Sequence, residues 1–287
     1  MSPRWRHEHR RALRVLVAAG ASLALATGLS TAALAAGTTS GFGTQQVGKT
    51  YANGILLPTQ AWIKPIGTRT VLDREGRLLS SSISPNGQYL ATLTWNDFTG
   101  WLTIFNVQTG KMIQQVGNVY PNVIGDGTVA ADGPLWSADG KSLWFPQTSD
   151  LAHFPVAADG TVGTPVVIPL ATTINNLTTG TTTVPDGPSG MALSSDGTKL
   201  YVALNVVNKL GVIDTATNKL VKVIKVGNAP RQVVLAGNDA FVSNEGGRPA
   251  TPGEYTNNSA GTRIVANKVT GAASTGTVSE VNLVSGT

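Results

Sequence analysis

The chain is 287 residues long, with no cysteine, 33 glycines, 15 prolines, 41% hydrophobic and 13% charged residues, and a formal net charge of +5. That apolar share is ample for a packed core and excludes a disordered chain; the composition also excludes a coiled coil, and the missing cysteines exclude a disulfide scaffold and thiolate metal or redox chemistry. The length suits one large β domain or two smaller ones.

The basicity is local. Arg4, Arg6, Arg10, Arg11 and Arg14 stand against the single acid Glu8, and beyond residue 14 the chain has 16 basic and 15 acidic residues. Val15 to Ala36 is uncharged and rich in Ala, Leu, Gly and Val, and it closes in Ala33-Leu34-Ala35 before Ala36, the A-x-A pattern of a signal-peptidase site. A run of this length also suits a membrane anchor or a buried helix. Small residues dominate it, however, and the Gly/Thr/Ser-rich stretch Gly37 to Thr50 follows, which favours export. Arg10-Arg11 is a poor twin-arginine match because Arg14 interrupts the apolar positions after it, so the general secretory route is expected. Residues 1–35 are thus read as a signal peptide to an extracytoplasmic location, with membrane contact only during export, and 36–60 as a flexible segment.

A repeat organises the remainder. Ser84-Pro85-Asn86-Gly87-Gln88-Tyr89-Leu90, Ser137-Ala138-Asp139-Gly140-Lys141-Ser142-Leu143 and Ser194-Ser195-Asp196-Gly197-Thr198-Lys199-Leu200 share the pattern S-x-[DN]-G-x-x-L, with serine spacings of 53 and 57 residues. Each reads as an Asx-Gly hairpin turn, with glycine supplying the positive φ. A β-rich run follows each turn, then a second run ending in another turn, as in Leu102 to Val107 before Gln108-Thr109-Gly110-Lys111 and Gly211-Val212-Ile213-Asp214 before Thr215 to Asn218. Four antiparallel strands, A to D, at this period are the signature of β-propeller blades. The fold class expected is all-β: a propeller over 61–287, with a closing strand at 62–72 and blades at about 76–117, 128–170, 187–227 and an incomplete one at 229–287.

Lys199 to Asn205 followed by Leu210-Gly211-Val212-Ile213-Asp214-Thr215-Ala216-Thr217-Asn218-Lys219 resemble the YVTN-repeat (YncE-like) β-propeller family. The likeness covers about residues 60 to 287, clear in the third unit, fair in the first and weak in the second, where Phe154-Pro155-Val156 replaces the V-I-D stretch. Phe241 to Arg248, Asn257 to Thr262 and Gly271 to Leu283 are similar to the subfamily in which a secreted propeller precedes an alkaline-phosphatase-like phosphoesterase domain. The resemblance implies a seven-bladed ring and a downstream catalytic domain. On that reading the chain is a fragment whose partners include the remaining blades or that domain; a small closed ring is the alternative.

In such blades the B–C and D–A connections share a rim, and the long connections all fall there: Gly117 to Pro134, Ala171 to Pro188, and an insertion from Asn244 to about Thr275. Function on a rigid scaffold usually resides in such loops. Trp95, Asn96, Asp97, Asn205, Asn208, Arg231, Asn244, Glu245 and Arg248 are therefore the candidate contacts for a small molecule or protein. No catalytic constellation accompanies them. Beyond residue 36 the only histidine is His153, which reads as a packing or surface residue, and no G-x-S-x-G, H-E-x-x-H, EF-hand or Walker pattern occurs. No cofactor is implied. Asp97, Asp126, Asp132, Asp186 and Glu245 suit a rim metal site of the kind in propeller lactonases only if several of them converge. Lys222 and Lys225 have opposite parity on one strand and so form no single basic face, which excludes nucleic acid as a partner. The expected function is a non-catalytic binding or scaffold module; the alternative is a hydrolase, either through a downstream phosphoesterase domain or through a metal in the propeller mouth.

Overall fold

The repeated turn has a specific chemistry. In the first, Ser84 Oγ accepts the Tyr89 amide at 2.9 Å and donates to Asn86 Oδ1 at 2.7 Å, while Asn86 Oδ1 also accepts the Gln88 amide at 3.0 Å. Ser137 and Asp139 repeat this with Ser142 and Lys141, and Ser194 and Asp196 repeat it with Lys199 and Thr198. The glycine after each Asx sits at φ of 70–71°, a left-handed conformation that side chains with a Cβ rarely take. Serine thus satisfies the amide that opens the B strand, and the Asx side chain closes the turn. At Asp196 these hydrogen bonds, led by that from Ser194, hold the carboxyl down at about 2. A second Asx device ends the C strands: Asn106, Asp214 and Asn282 each accept the amide three residues on, at 2.8, 2.9 and 3.0 Å.

The computed structural model describes residues 45–64, 66–67, 70, 77–96, 99–117, 132–147, 149–176, 180–259 and 262–286, and contains no helix among them. The chain divides into two units, Met1–Gly67 and Thr68–Thr287. Ala33, Ala35, Ala36 and the whole expected signal peptide lie outside the described residues.

In the first unit, β1 (Thr50–Tyr51), β2 (Gly54–Leu56) and β3 (Trp62–Ile63) form a three-stranded antiparallel sheet. The sequence leaves 50–56 in a flexible segment and opens a closing strand at Trp62; in the structure Thr50–Tyr51 and Trp62–Ile63 both pair with β2. Local pairing wins because its loops are short and cost little closure entropy. Gly54, at φ 125°, lets the chains meet, since a Cβ there would lie 2.3 Å from the Ile63 carbonyl oxygen. Tyr51 packs edge-on to Trp62 at 5.8 Å.

The second unit is built of up-and-down blades. Blade 1 is β4 (Arg77–Ile83), β5 (Tyr89–Asn96), β6 (Thr99–Asn106) and β7 (Met112–Gly117); blade 2 is β8 (Leu135–Trp136), β9 (Ser142–Pro146), β10 (Asp150–Pro155) and β11 (Val166–Pro169). The link to blade 3, which reads in the sequence only as a long connection, carries a hairpin, β12 (Ala171–Asn176) and β13 (Gly180–Pro185). Blade 3 is β14 (Pro188–Leu193), β15 (Lys199–Leu204), β16 (Lys209–Asp214) and β17 (Lys219–Lys225). Blade 4 has three strands, β18 (Asn228–Ala236), β19 (Asp239–Gly247) and β22 (Thr277–Asn282), and its insertion carries a second hairpin, β20 (Thr256–Ser259) and β21 (Thr262–Val265).

Successive blades stack face to face through three apolar cores. Leu93, Leu102 and Ile104 of blade 1 meet Leu143, Phe145 and Phe154 of blade 2. On the opposite face of blade 2, Trp144, Leu151 and Ile168 meet Leu200, Val202, Leu204 and Ile213 of blade 3. Tyr201, Ala203, Leu210 and Val212 then meet Val233, Ala240, Val242 and Val281 of blade 4. The period-2 alternation of a strand sends neighbours such as Leu143 and Trp144, or Leu200 and Tyr201, into different cores. Meanders of four antiparallel strands packed this way are β-propeller blades.

Phe154, fully buried between blades 1 and 2, provides a test. Phe154→Ala is expected to cost about 3–5 kcal/mol in denaturant unfolding. Val234→Ala, at a position 62% exposed on blade 4, is expected to shift stability by no more than about 0.5 kcal/mol. Equal effects would contradict the inter-blade core.

Candidate functional site

The up-and-down topology puts the B–C turns and D–A links on one rim. The described parts of that rim are the turns at 205–208 and around Gln147 and Ser149, the links at 132–134, 170–176, 180–188 and 226–228, and the insertion between β19 and β22. Loop 118–131 and Asp97 lie outside the described residues; Trp95 and Asn96 end β5, and only their backbone pairing, Trp95 with Gly100 and Asn96 with Thr99, is described.

Three of the expected contact residues are committed to holding the scaffold. Asn244 is buried in blade 4, where its Nδ2 donates to Ser279 Oγ at 3.0 Å and Thr277 Oγ1 at 3.2 Å. Asn208, at φ 57°, accepts the Ala229 amide at 2.8 Å and donates to Thr262 Oγ1 at 3.1 Å, tying blade 3 to blade 4 and to the inserted hairpin. Asn205 donates to the Pro230 carbonyl at 3.0 Å. Each of these side chains spends its amide donors on neighbouring backbone or hydroxyls.

Arg231 and Glu245 do meet, in a polar cluster that joins three blades. Arg231 Nε lies 2.7 Å from Asp132 Oδ2, and its Nη1 is 3.7 Å from Glu245. Ser189 Oγ donates to Asp132 Oδ2 at 2.7 Å and Gln232 Nε2 to Asp132 Oδ1 at 3.0 Å. Asp132 precedes blade 2, Ser189 opens blade 3 and Arg231 opens blade 4, so one carboxylate pins the starts of three blades. Ser189 and Gln232 are not among the residues expected from the sequence, although Ser189 and Arg231 each directly follow the proline near the start of an A strand. Arg248 turns away into a fork with Glu254, its Nη1 2.7 Å from Oε2, and its charge is cancelled there.

The carboxylates named for a metal site do not converge among the described residues. Asp132 is taken by Arg231, and Asp186 is buried and accepts Thr172 Oγ1 at 2.5 Å. Asp126 lies outside the described residues. No group of three or more His, Cys, Asp or Glu side chains among the described residues could hold a metal ion. His153 stacks on Trp144, ring centroids 4.5 Å apart, and its Nδ1 meets Asn218 Oδ1 at 2.7 Å. Burial pulls its pKa below the usual imidazole value. It is a half-buried packing residue.

A cleft of about 740 Å³ opens on the rim over blade 3, within the size range of small-molecule sites. Its floor is the blade 3 turn with Val206, Val207, Asn208 and Lys209. The β12–β13 hairpin contributes Thr172 and Val184; the blade 4 side contributes Asn228, Pro249, Ala250, Thr256, Thr262 and Arg263. The charged lining residues are Lys209 and Arg263, both basic. Arg263 is braced by Nε and Nη2 on Thr256 Oγ1, at 3.2 and 2.9 Å. Of the expected contact residues whose side chains are described, only Asn208 lines this cleft, because its walls come from two hairpins that no periodicity announces.

Blade 2 carries a second polar feature at its rim turn. Asp150 and Gln147 sit opposite each other across the turn, the Gln147 amide donating to the Asp150 carbonyl at 2.9 Å. Asp150 Oδ1 and Gln147 Oε1 are both buried without a hydrogen-bond partner among the described residues. Desolvation pushes the Asp150 carboxyl up to about 6. An acid whose pKa rises on folding stabilises the fold while protonated, and that stability is lost as pH rises from about 4 through 6. Asp150→Asn is therefore expected to be more stable than the parent at pH 7.5, by up to about 3 kcal/mol, with the difference shrinking as pH falls to 4. A pH-independent difference in denaturant midpoints would show that Asp150 ionisation does not act on the fold.

No family model matches the sequence, and no curated protein matches it. Among solved structures, the chain is similar to Kuenenia stuttgartiensis hydrazine synthase at 19% identity and TM-score 0.47, covering 78% of this chain and 50% of that one. It is similar to a functionally unknown protein from Desulfotomaculum acetoxidans at 16% identity and TM-score 0.43, covering 72% and 61%. A luciferin-regenerating enzyme matches at 18% identity and TM-score 0.44, covering 60% and 54%. The chain thus spans about half to three-fifths of the length of these proteins, and the blade assignment rests on strand topology and the inter-blade cores.

Proposed function

We propose that the protein is an exported β-propeller binding module of the YVTN type, without catalysis of its own, that takes a small molecule in the rim cleft over blade 3. The cleft is the observation that carries this reading: a concave site with Val184, Val206, Val207 and Pro249 as apolar surface and polar groups from three separate elements. Thr172, Asn228 and Thr262 supply hydroxyl and amide groups around it. Thr172 Oγ1 donates to the buried Asp186 and Thr262 Oγ1 accepts from Asn208, so both hydroxyls are held in scaffold hydrogen bonds, which supports binding rather than turnover. Export rests on the arginine-rich, Ala/Leu-rich N-terminus, and a place ahead of a phosphoesterase domain rests on the resemblance of Phe241 to Leu283.

The test is a fragment screen by ligand-observed NMR on the full chain. Binders are expected that are lost in Ala250→Trp, which fills the cleft, and retained in Val234→Trp, which alters an exposed face of blade 4. Binders that persist in Ala250→Trp would overturn the assignment of the cleft.

A further inference from the structure

We infer that the rim cleft is a site for a small organic monocarboxylate, whose anionic end lies between Lys209 and Arg263 and whose apolar end rests on Val184, Val206 and Val207. This builds on the reading of the cleft as a binding site and names the class of ligand. The charge balance carries it. Both charged side chains lining the cleft are cationic, and no carboxylate among the described residues lies within ion-pairing distance of either. The nearest compensation is Asp186, which feels the Lys209 charge but is buried and bonded to Thr172, with its carboxyl raised overall by desolvation. Arg248, the neighbouring cation on the insertion, is neutralised by Glu254. Two cations against one withdrawn acid leave an excess near one positive charge, which matches a monoanion better than a dianion.

The donor geometry agrees. Thr256 fixes one edge of the Arg263 guanidinium through Nε and Nη2, leaving Nη1 to donate, and a planar fork held on one side is prepared for a carboxylate. Asn208 and Asn228 have their amide donors committed to Thr262 and to the Arg248 and Arg263 carbonyls, so the cations are the main unspent donors of the lining. The remaining lining is largely aliphatic, which gives an organic acid an advantage over an inorganic anion through burial of its apolar part.

Calorimetric titration of the full chain with benzoate, benzamide and inorganic phosphate tests this. Benzoate is expected to bind one to one, with benzamide at least roughly tenfold weaker and phosphate failing to compete. Lys209→Met and Arg263→Met are each expected to weaken benzoate roughly tenfold, with Arg263→Lys in between and Lys222→Met, on the outer strand of blade 3, unchanged. Equal binding of benzoate and benzamide, phosphate competing as well as benzoate, or full affinity in both methionine variants would overturn the proposal. If neutral fragments bind and are lost in Ala250→Trp while benzoate does not bind, the cleft remains a binding site and only its carboxylate preference falls; if nothing binds, both readings fall.

Discussion

Two-sided burial of the blades is the constraint on which the rest of the second unit depends. A sheet whose strands are apolar on both faces has no stable state in water by itself, so blades 2 and 3 each need a neighbour on either side. Blade 2 shows this within three residues: Leu143 and Phe145 enter the core with blade 1, while Trp144 between them enters the core with blade 3. Blade 3 repeats it with Leu200, Val202 and Leu204 against Tyr201 and Ala203. The turns then face only one demand, which is to satisfy the backbone where the ladder ends. Serine and Asx side chains meet that demand locally, which is why the same short pattern recurs at blades 1, 2 and 3.

Because the cores and turns carry the stability, the loop-rich rim is free to vary, and the chain adds two hairpins there. Both rise beside the blade 3 turn, one from the preceding link and one from the blade 4 insertion, and the space between them is the cleft. Some rim polar groups serve the scaffold: Asn208 and Asn228 tie the insertion to the blades, and Asp132 holds Ser189, Arg231 and Gln232 of two later A strands. Lys209 and Arg263 are different in kind. They line an open space and have no carboxylate partner among its lining residues.

The blade repeat was legible because its determinants are local. A turn such as Ser137-Ala138-Asp139-Gly140 is closed by bonds between residues two to five apart, and alternation is visible within a single strand. The contact residues were less legible. Asn244 has the position of a rim group at the end of a B strand, yet it is buried, because Gly227 packs against its side chain and Thr277 and Ser279 absorb its amide. Arg231 and Glu245 were legible as rim residues, but their shared cluster is built on Asp132, about a hundred residues earlier in the chain. The three-stranded sheet at 50–63 went unread because its strands are two or three residues long, too short for any pattern.

By itself, the sequence determined the class of the protein: an all-β chain of Asx-turned, four-stranded units, with most of its excess charge in the first 14 residues. Those properties follow from short-range hydrogen bonding, strand periodicity and composition, which need no partner to be expressed. The tertiary structure alone decided which polar residues are spent on the scaffold and which are not. That distinction depends on distances between groups from separate elements: Asp186 on Thr172, Arg248 on Glu254, and Lys209 and Arg263 lining a cleft without such a partner. A side chain's chemistry is set by its neighbours in space, and for the rim those neighbours come from several different loops.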